Sequence, residues 1–246
     1  MMDDNKETII TFEDDHLRIA ENGVESEKTI IIFSGIHGGY DFRDTLSEIQ
    51  CRKIWITDKA RSWYNAPGLG TAIDRYLAGI DAGRSVSLGV SLGGFGAVLF
   101  GARLKVRRAV AFSPQIVIDS AGLGSHDLRW RENTDPYAPL MFPDIIGALQ
   151  TPGPEFYVFM GLNDADDLYQ RGFIPAECNE SVTFFDWEGR HWRDRLNRVK
   201  TITKPVRCLD FMGRRFQLFT HDVVTPLKKY GVLRQMVTEL LRMDEI

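Results

Sequence analysis

The stretch Ser85–Phe100, SVSLGVSLGGFGAVLF, restricts what this chain can fold into more than any other segment. An apolar run with strand character passes directly into a run with helical spacing, and the passage is Gly89-Val90-Ser91-Leu92-Gly93. A strand that becomes a helix across one residue forces that residue into unfavourable dihedrals. Side chains at 89 and 93 would collide in so tight a bend, which accounts for the two glycines. The turn lifts Ser91 Oγ out of the sheet. It also aims the helix N-terminus at that oxygen, where the N–H of Leu92 is placed to hold an oxyanion. Gly94 and Gly96 let the helix pack close to the sheet. A phosphate-binding loop is excluded because no lysine follows, and GVSLGG lacks the middle glycine of the dinucleotide pattern G-x-G-x-x-G.

The rest of the chain supplies the sheet that such a turn needs. Ile9–Phe12 and Leu17–Ala20 read as a hairpin, followed by strands at Thr29–Phe33 and Ile54–Thr57. Ile73, Tyr76, Leu77 and Ile80 mark an amphipathic helix that Gly83 ends, and Phe95, Val98, Leu99 and Ala102 share a face of the helix after Ser91. VRRAVAFSP is the sixth strand. Residues 115–153 then lose the strand rhythm and read as a lid or helical insertion. Strands return at Phe156–Met160, in ESVTFFDWEG and in PVRCLDFMG, and the last segment is helical in parts. Strands alternating with helices predict an α/β fold: a mostly parallel central sheet with helices on both faces and an insertion after the sixth strand. No linker and no repeat divides the chain, so residues 1–246 are expected to form one domain. Its functional groups should gather beyond the C-terminal strand ends.

Composition narrows the function. Hydrophobic residues make up 43% of 246, enough for a sizeable core. The net charge is −4, and the cluster Arg103, Lys105, Arg107 and Arg108 reads as a solvated helix end, so no nucleic-acid partner is expected. Three widely spaced cysteines, Cys51, Cys178 and Cys208, make neither a disulfide scaffold nor a zinc site and suit a reducing, cytoplasmic location. The N-terminal residues do not read as a secretory signal, and no apolar run is long enough to span a membrane.

A serine needs a base, and the base an orienting carboxylate. LNDADD follows the strand at 156–160 and offers Asp164, Asp166 and Asp167; Asp164 lies closest to the strand. Asp167 could equally cap the next helix, and the EF-hand spacing is absent. Of the histidines, His191 follows a strand and His221 precedes the final helical segment, and the residues alone slightly favour His191. A second oxyanion donor is expected from FSGIHGGYDF, through Gly38 or Gly39, or through Gly35 or Ile36 if the loop turns earlier. Trp130, Tyr137 and Phe142 either line a pocket or pack in the core, and Arg129 and Arg131 could meet an anionic substrate.

Three patches carry a family resemblance: Gly89–Gly94, then Ser113–Gln115, then His221 with Leu227, Gly231 and Leu233. Together they resemble α/β-hydrolase-fold proteins of bacteria, some linked to surface polysaccharide biosynthesis. The resemblance runs in patches over residues 29–240. It implies His221 as the base, while SVTFFDWEGRHWRDRLNRVK departs from the pattern and keeps His191 open, with Asp194 as a further candidate acid. The implied activity is a serine hydrolase that cleaves a carboxylic ester, thioester or O-acyl sugar through an acyl-enzyme, with no metal or organic cofactor. The substrate would be a small molecule or an acylated saccharide. Acyl transfer to another acceptor and a binding protein without catalysis are the alternatives, and a homodimer is a fair expectation.

Overall fold

The computed structural model describes residues 8–44, 46–47, 49–119, 130–161, 165–175, 178, 182–187, 206–208 and 216–218. Its centre is an eight-stranded sheet. In chain order the strands are β1 (Ile9–Glu13), β2 (Leu17–Glu21), β3 (Thr29–Phe33), β4 (Arg52–Asp58), β5 (Ser85–Val90), β6 (Arg108–Phe112), β7 (Glu155–Gly161) and β8 (Val182–Trp187). Their order across the sheet is β1-β2-β4-β3-β5-β6-β7-β8. The β1–β2 and β2–β4 pairs are antiparallel, and every other pair is parallel. The expected mostly parallel sheet is therefore present, flanked by helices, with the helical insertion after β6.

β3 from Ile30 to Phe33 and β6 from Ala109 to Phe112 are apolar without alternation, and both strands are buried throughout because both faces are covered. Ile31, Phe33, Ile54, Ile56, Ala109, Ala111 and Val158 enter one cluster. Ile30, Ile32, Trp55, Val86, Leu88, Val110, Phe112 and Phe159 enter a second, where Tyr40, Phe42, Leu46 and Ile49, from between β3 and β4, also pack. β1 lies at the sheet edge and is exposed along its length.

Over the first cluster lie α1 (Leu69–Leu77) and α2 (Leu92–Leu104). α1 stops short of the expected Gly83: a turn follows, and Asp81 accepts the Gly83 N–H to cap a separate 3-10 turn at Ala82–Arg84. α2 is buried from Leu92 through Ala102 rather than on one face, because it lies between the sheet, α1 and the insertion. The insertion contains α3 (Arg131–Thr134), a 3-10 turn at Asp135–Tyr137 and α4 (Ile146–Leu149). Its Ile116, Ile118, Trp130, Phe142, Ile145 and Leu149 sit in the first cluster. Packing is thus the role of Trp130 and Phe142, and Arg131 pairs with Asp135. α5 (Ala165–Arg171) is tied to the insertion through Gln170, whose Oε1 accepts the N–H groups of Ile116 and Val117 at 2.8 and 2.9 Å.

Two further readings need correction. Arg108 is not part of a solvated helix end: it opens β6, is 2% exposed and donates to Glu155 at 3.1 Å. The strand expected in PVRCLDFMG does not join the main sheet. It is β9 (Val206–Cys208), which pairs antiparallel with β10 (Phe216–Leu218) in a sheet of two. Asp164, His191, Asp194, His221, Arg129 and the closing helical segment lie outside the described residues.

Candidate active site

β3, β5 and β6 end side by side, with Phe33 opposite Gly89 and Val90 opposite Phe112. Their three following loops therefore meet at one place on the C-terminal edge of the sheet. Ser91 is the single residue between β5 and α2. Its φ of 55° and ψ of −122° lie outside the regions ordinary residues occupy, a conformation that costs of order 1–3 kcal/mol. The surroundings impose it. Ser91 N–H donates to Phe112 O at 2.8 Å, and its carbonyl accepts the Phe95 N–H at 3.0 Å as the helix begins. A Cβ at Gly89 would lie 2.0 Å from Gly93 O, and one at Gly93 would lie 2.0 Å from Phe33 O. Both glycines are therefore fixed by close backbone approach. Gly96 faces the ring of Tyr64 rather than the sheet.

Leu92 is the first residue of α2, so its N–H has no acceptor inside the helix. On the loop after β3, the N–H of Gly35 donates to Asp41 Oδ2 at 2.6 Å and that of Gly38 donates to Gly35 O at 2.9 Å. The N–H groups of Ile36 and Gly39 have no partner among the described residues. A Cβ on Gly35 would lie 3.3 Å from Val90 O, so this loop abuts the serine turn, whereas Gly39 is exposed with open space around it. Burial holds the Asp41 carboxyl above its ordinary pKa, against the lowering effect of the Gly35 N–H.

The loop after β6 supplies Ser113 and Gln115. Ser113, at φ 43°, donates its hydroxyl to Asp167 Oδ2 at 2.7 Å. Gln115 is 1% exposed; its Oε1 accepts the Trp63 indole N–H at 2.8 Å, and its Nε2 donates to Ser91 Oγ at 3.4 Å. Trp63 belongs to the loop after β4, where Arg61, Trp63 and Tyr64 all have positive φ. Asp58 Oδ2 holds that loop by accepting from Ser62 N–H at 2.8 Å, Ser62 Oγ at 3.1 Å and Tyr64 N–H at 2.9 Å. Burial raises the Asp58 carboxyl above its ordinary pKa, and these donors partly offset the rise.

Of the expected site residues, the structure brings Ser91, Leu92, Gly35 and Ile36 to one edge of the sheet. Asp167 is buried and engaged with Ser113, and Asp166 is half-buried in the first turn of α5. Sequence reasoning gave no role to Asp41, Asp58, Trp63 or Gln115. Only the Ser-Pro-Gln of the family resemblance pointed at the last of these. Among the described residues, no group of three His, Cys, Asp or Glu side chains is placed to hold a metal ion, and no helix is long and apolar enough to cross a membrane.

No family model matches the chain, and no curated protein matches it. Solved structures do. The capsule O-acetyltransferase of Neisseria meningitidis serogroup A aligns over 94% of this chain and 93% of its own at 16% identity, with a TM-score of 0.58. The chain has the α/β-hydrolase fold. The esterase Est2 of Thermogutta terrifontis aligns over 98% of this chain and 95% of its own at 14% identity, TM-score 0.57. The S-formylglutathione hydrolase FrmB of Staphylococcus aureus aligns over 96% and 99% at 13% identity, TM-score 0.57. At these identities the likeness is one of fold.

Proposed function

We propose that this α/β-hydrolase-fold chain is a serine acyl hydrolase, with Ser91 as nucleophile. The observation that carries the reading is the conformation of Ser91, φ 55° and ψ −122° between β5 and α2. Such strain in a non-glycine residue, with a half-buried hydroxyl at a helix N-terminus, supports a role in chemistry. Ser91 Oγ attacks an acyl carbonyl, and a histidine takes the hydroxyl proton. His221 is the proposed base with Asp164 as its acid; His191 and Asp194 are the alternatives. The engagement of Asp167 with Ser113 favours a structural role for Asp167. The oxyanion is held by Leu92 N–H and one N–H of the loop after β3. Because the N–H groups of Gly35 and Gly38 already have acceptors, Ile36 is favoured there over Gly38. The histidine then protonates the departing oxygen or sulfur, and water attacks the acyl-enzyme to release the acid and restore Ser91.

Acyl transfer shares the first half of this sequence, with a sugar hydroxyl replacing water in the second. The likeness to a capsule O-acetyltransferase and the resemblance to polysaccharide-linked proteins support that second reading. Turnover of short-chain p-nitrophenyl esters tests the shared step. Folded Ser91→Ala should lose at least about 10³-fold in kcat/KM. Retained activity in that variant contradicts the proposal. Product analysis with added saccharide separates the readings, free acid marking hydrolysis and an acylated sugar marking transfer.

A further inference from the structure

We propose that Gln115 is a third hydrogen-bond donor of the Ser91 site, acting on the serine oxygen itself and held in orientation by Trp63. The inference rests on the nucleophile reading of Ser91.

The orientation of the amide follows from the chemistry of its neighbours. The Trp63 indole N–H only donates, so the oxygen Oε1 faces it, at 2.8 Å. The carbonyl of Ser113 only accepts, so Nε2 faces it, at 3.4 Å. The other Nε2–H is then aimed at Ser91 Oγ, also at 3.4 Å. Both donor distances are long for hydrogen bonds; the one to Ser91 Oγ is of the kind that tightens when substrate is bound. Gln115 is 1% exposed and Trp63 is fully buried. Water therefore does not compete for the amide, and its hydrogen bonds act in a low-dielectric setting. Trp63 is itself fixed by the loop that Asp58 holds, and its ring packs on Trp130 with centroids 5.1 Å apart.

The consequence for the reaction is specific. As the Ser91 O–H bond breaks and its proton passes to the base, negative charge builds on Oγ before the bond to the acyl carbon forms. A Gln115 N–H directed at Oγ stabilises that charge. It does so again in deacylation, when the Oγ–C bond breaks and Oγ recovers the proton from the base. The amide donates a hydrogen bond and transfers no proton. It also occupies a lone pair of Oγ at rest, which leaves the serine O–H to point at the base.

Labelling with a small alkyl fluorophosphonate tests this directly, because the Oγ–P bond forms as fluoride leaves and the proton goes to the base. The second-order labelling rate is measured by intact mass for wild type, Gln115→Leu, Gln115→Glu and Trp63→Phe, with urea unfolding of each. Gln115→Leu and Gln115→Glu should label about 10- to 100-fold more slowly, a smaller loss than that of an oxyanion donor. Gln115→Glu keeps the acceptor for Trp63, so its rate decides the matter if Gln115→Leu loses its cooperative unfolding. The ratio of the Gln115→Glu rate to wild type should rise as pH falls, since the protonated acid again offers a donor to Oγ. Each rate is divided by the folded fraction that urea unfolding gives at the same pH, so the cost of burying a charged carboxylate at a 1% exposed position drops out and a merely structural role would leave the corrected ratio unchanged. Trp63→Phe should slow labelling several-fold, because the amide is then no longer locked. Wild-type rates in folded Gln115→Leu or Gln115→Glu would overturn the inference alone. Failure of wild type to label would overturn the nucleophile reading and, with it, the inference.

Discussion

Ser91 holds a backbone conformation that its neighbours impose, so the neighbours and the serine should respond in opposite ways to substitution. Gly93→Ala would drive a Cβ to 2.0 Å from Phe33 O, where only backbone can yield; urea unfolding should register a loss of about 3 kcal/mol. Gly94→Ala meets its nearest atoms at 3.2 Å and should lose far less. At Ser91 the strain is local to one residue, and glycine relieves it. Ser91→Gly should therefore unfold at higher urea than Ser91→Ala, by about 1 kcal/mol; equal midpoints would mean that the turn is not strained. The elbow was legible in sequence because its cause is local: five consecutive residues carry both the turn and its glycines. Gln115 was not, since what it does depends on Trp63, 52 residues away in the chain. Arg108 misled for the same reason, its partner Glu155 lying on a neighbouring strand.

The elements differ in how their loops are held. The loop after β4 carries three non-glycine residues at positive φ, and Asp58 is the group that keeps them there. Its carboxyl titrates above 3.8 in the folded chain because burial disfavours the charge. The folded state thus binds this proton more readily than the unfolded state. The stabilisation is full below the ordinary pKa and is lost as pH rises through the raised one. Asp58→Asn keeps an acceptor for Ser62 and Tyr64 without that titration. Urea midpoints measured from about pH 3 to pH 7 should show wild type losing ground to Asp58→Asn as pH rises; a gain would contradict this account of the loop. Helix boundaries were less legible than strands. The spacing of Ile73, Tyr76, Leu77 and Ile80 is helical, but Ile80 falls beyond Leu77, where α1 ends and Asp81 starts a separate turn. The four residues read on one face of α2 are buried, but helix periodicity could not reveal that the rest of Leu92–Ala102 is buried as well.

At the scale of the molecule, the sheet places the ends of β3, β5 and β6 together, and the function proposed rests on what those ends present. The short apolar runs Ile30–Phe33 of β3 and Ala109–Phe112 of β6 made that sheet legible, because strands covered on both faces read so. The register that sets Phe33 beside Gly89, and so crowds Gly93, could not be read from any one segment. The central claim is that Ser91 is an activated nucleophile. Intact mass after incubation with a small fluorophosphonate tests it most directly, on wild type, Ser91→Ala, His191→Ala and His221→Ala. The account predicts one adduct on wild type, none on Ser91→Ala, and a labelling rate in His221→Ala reduced by at least about 10³-fold. A folded wild type that takes no adduct, or an adduct that survives in Ser91→Ala, would contradict it.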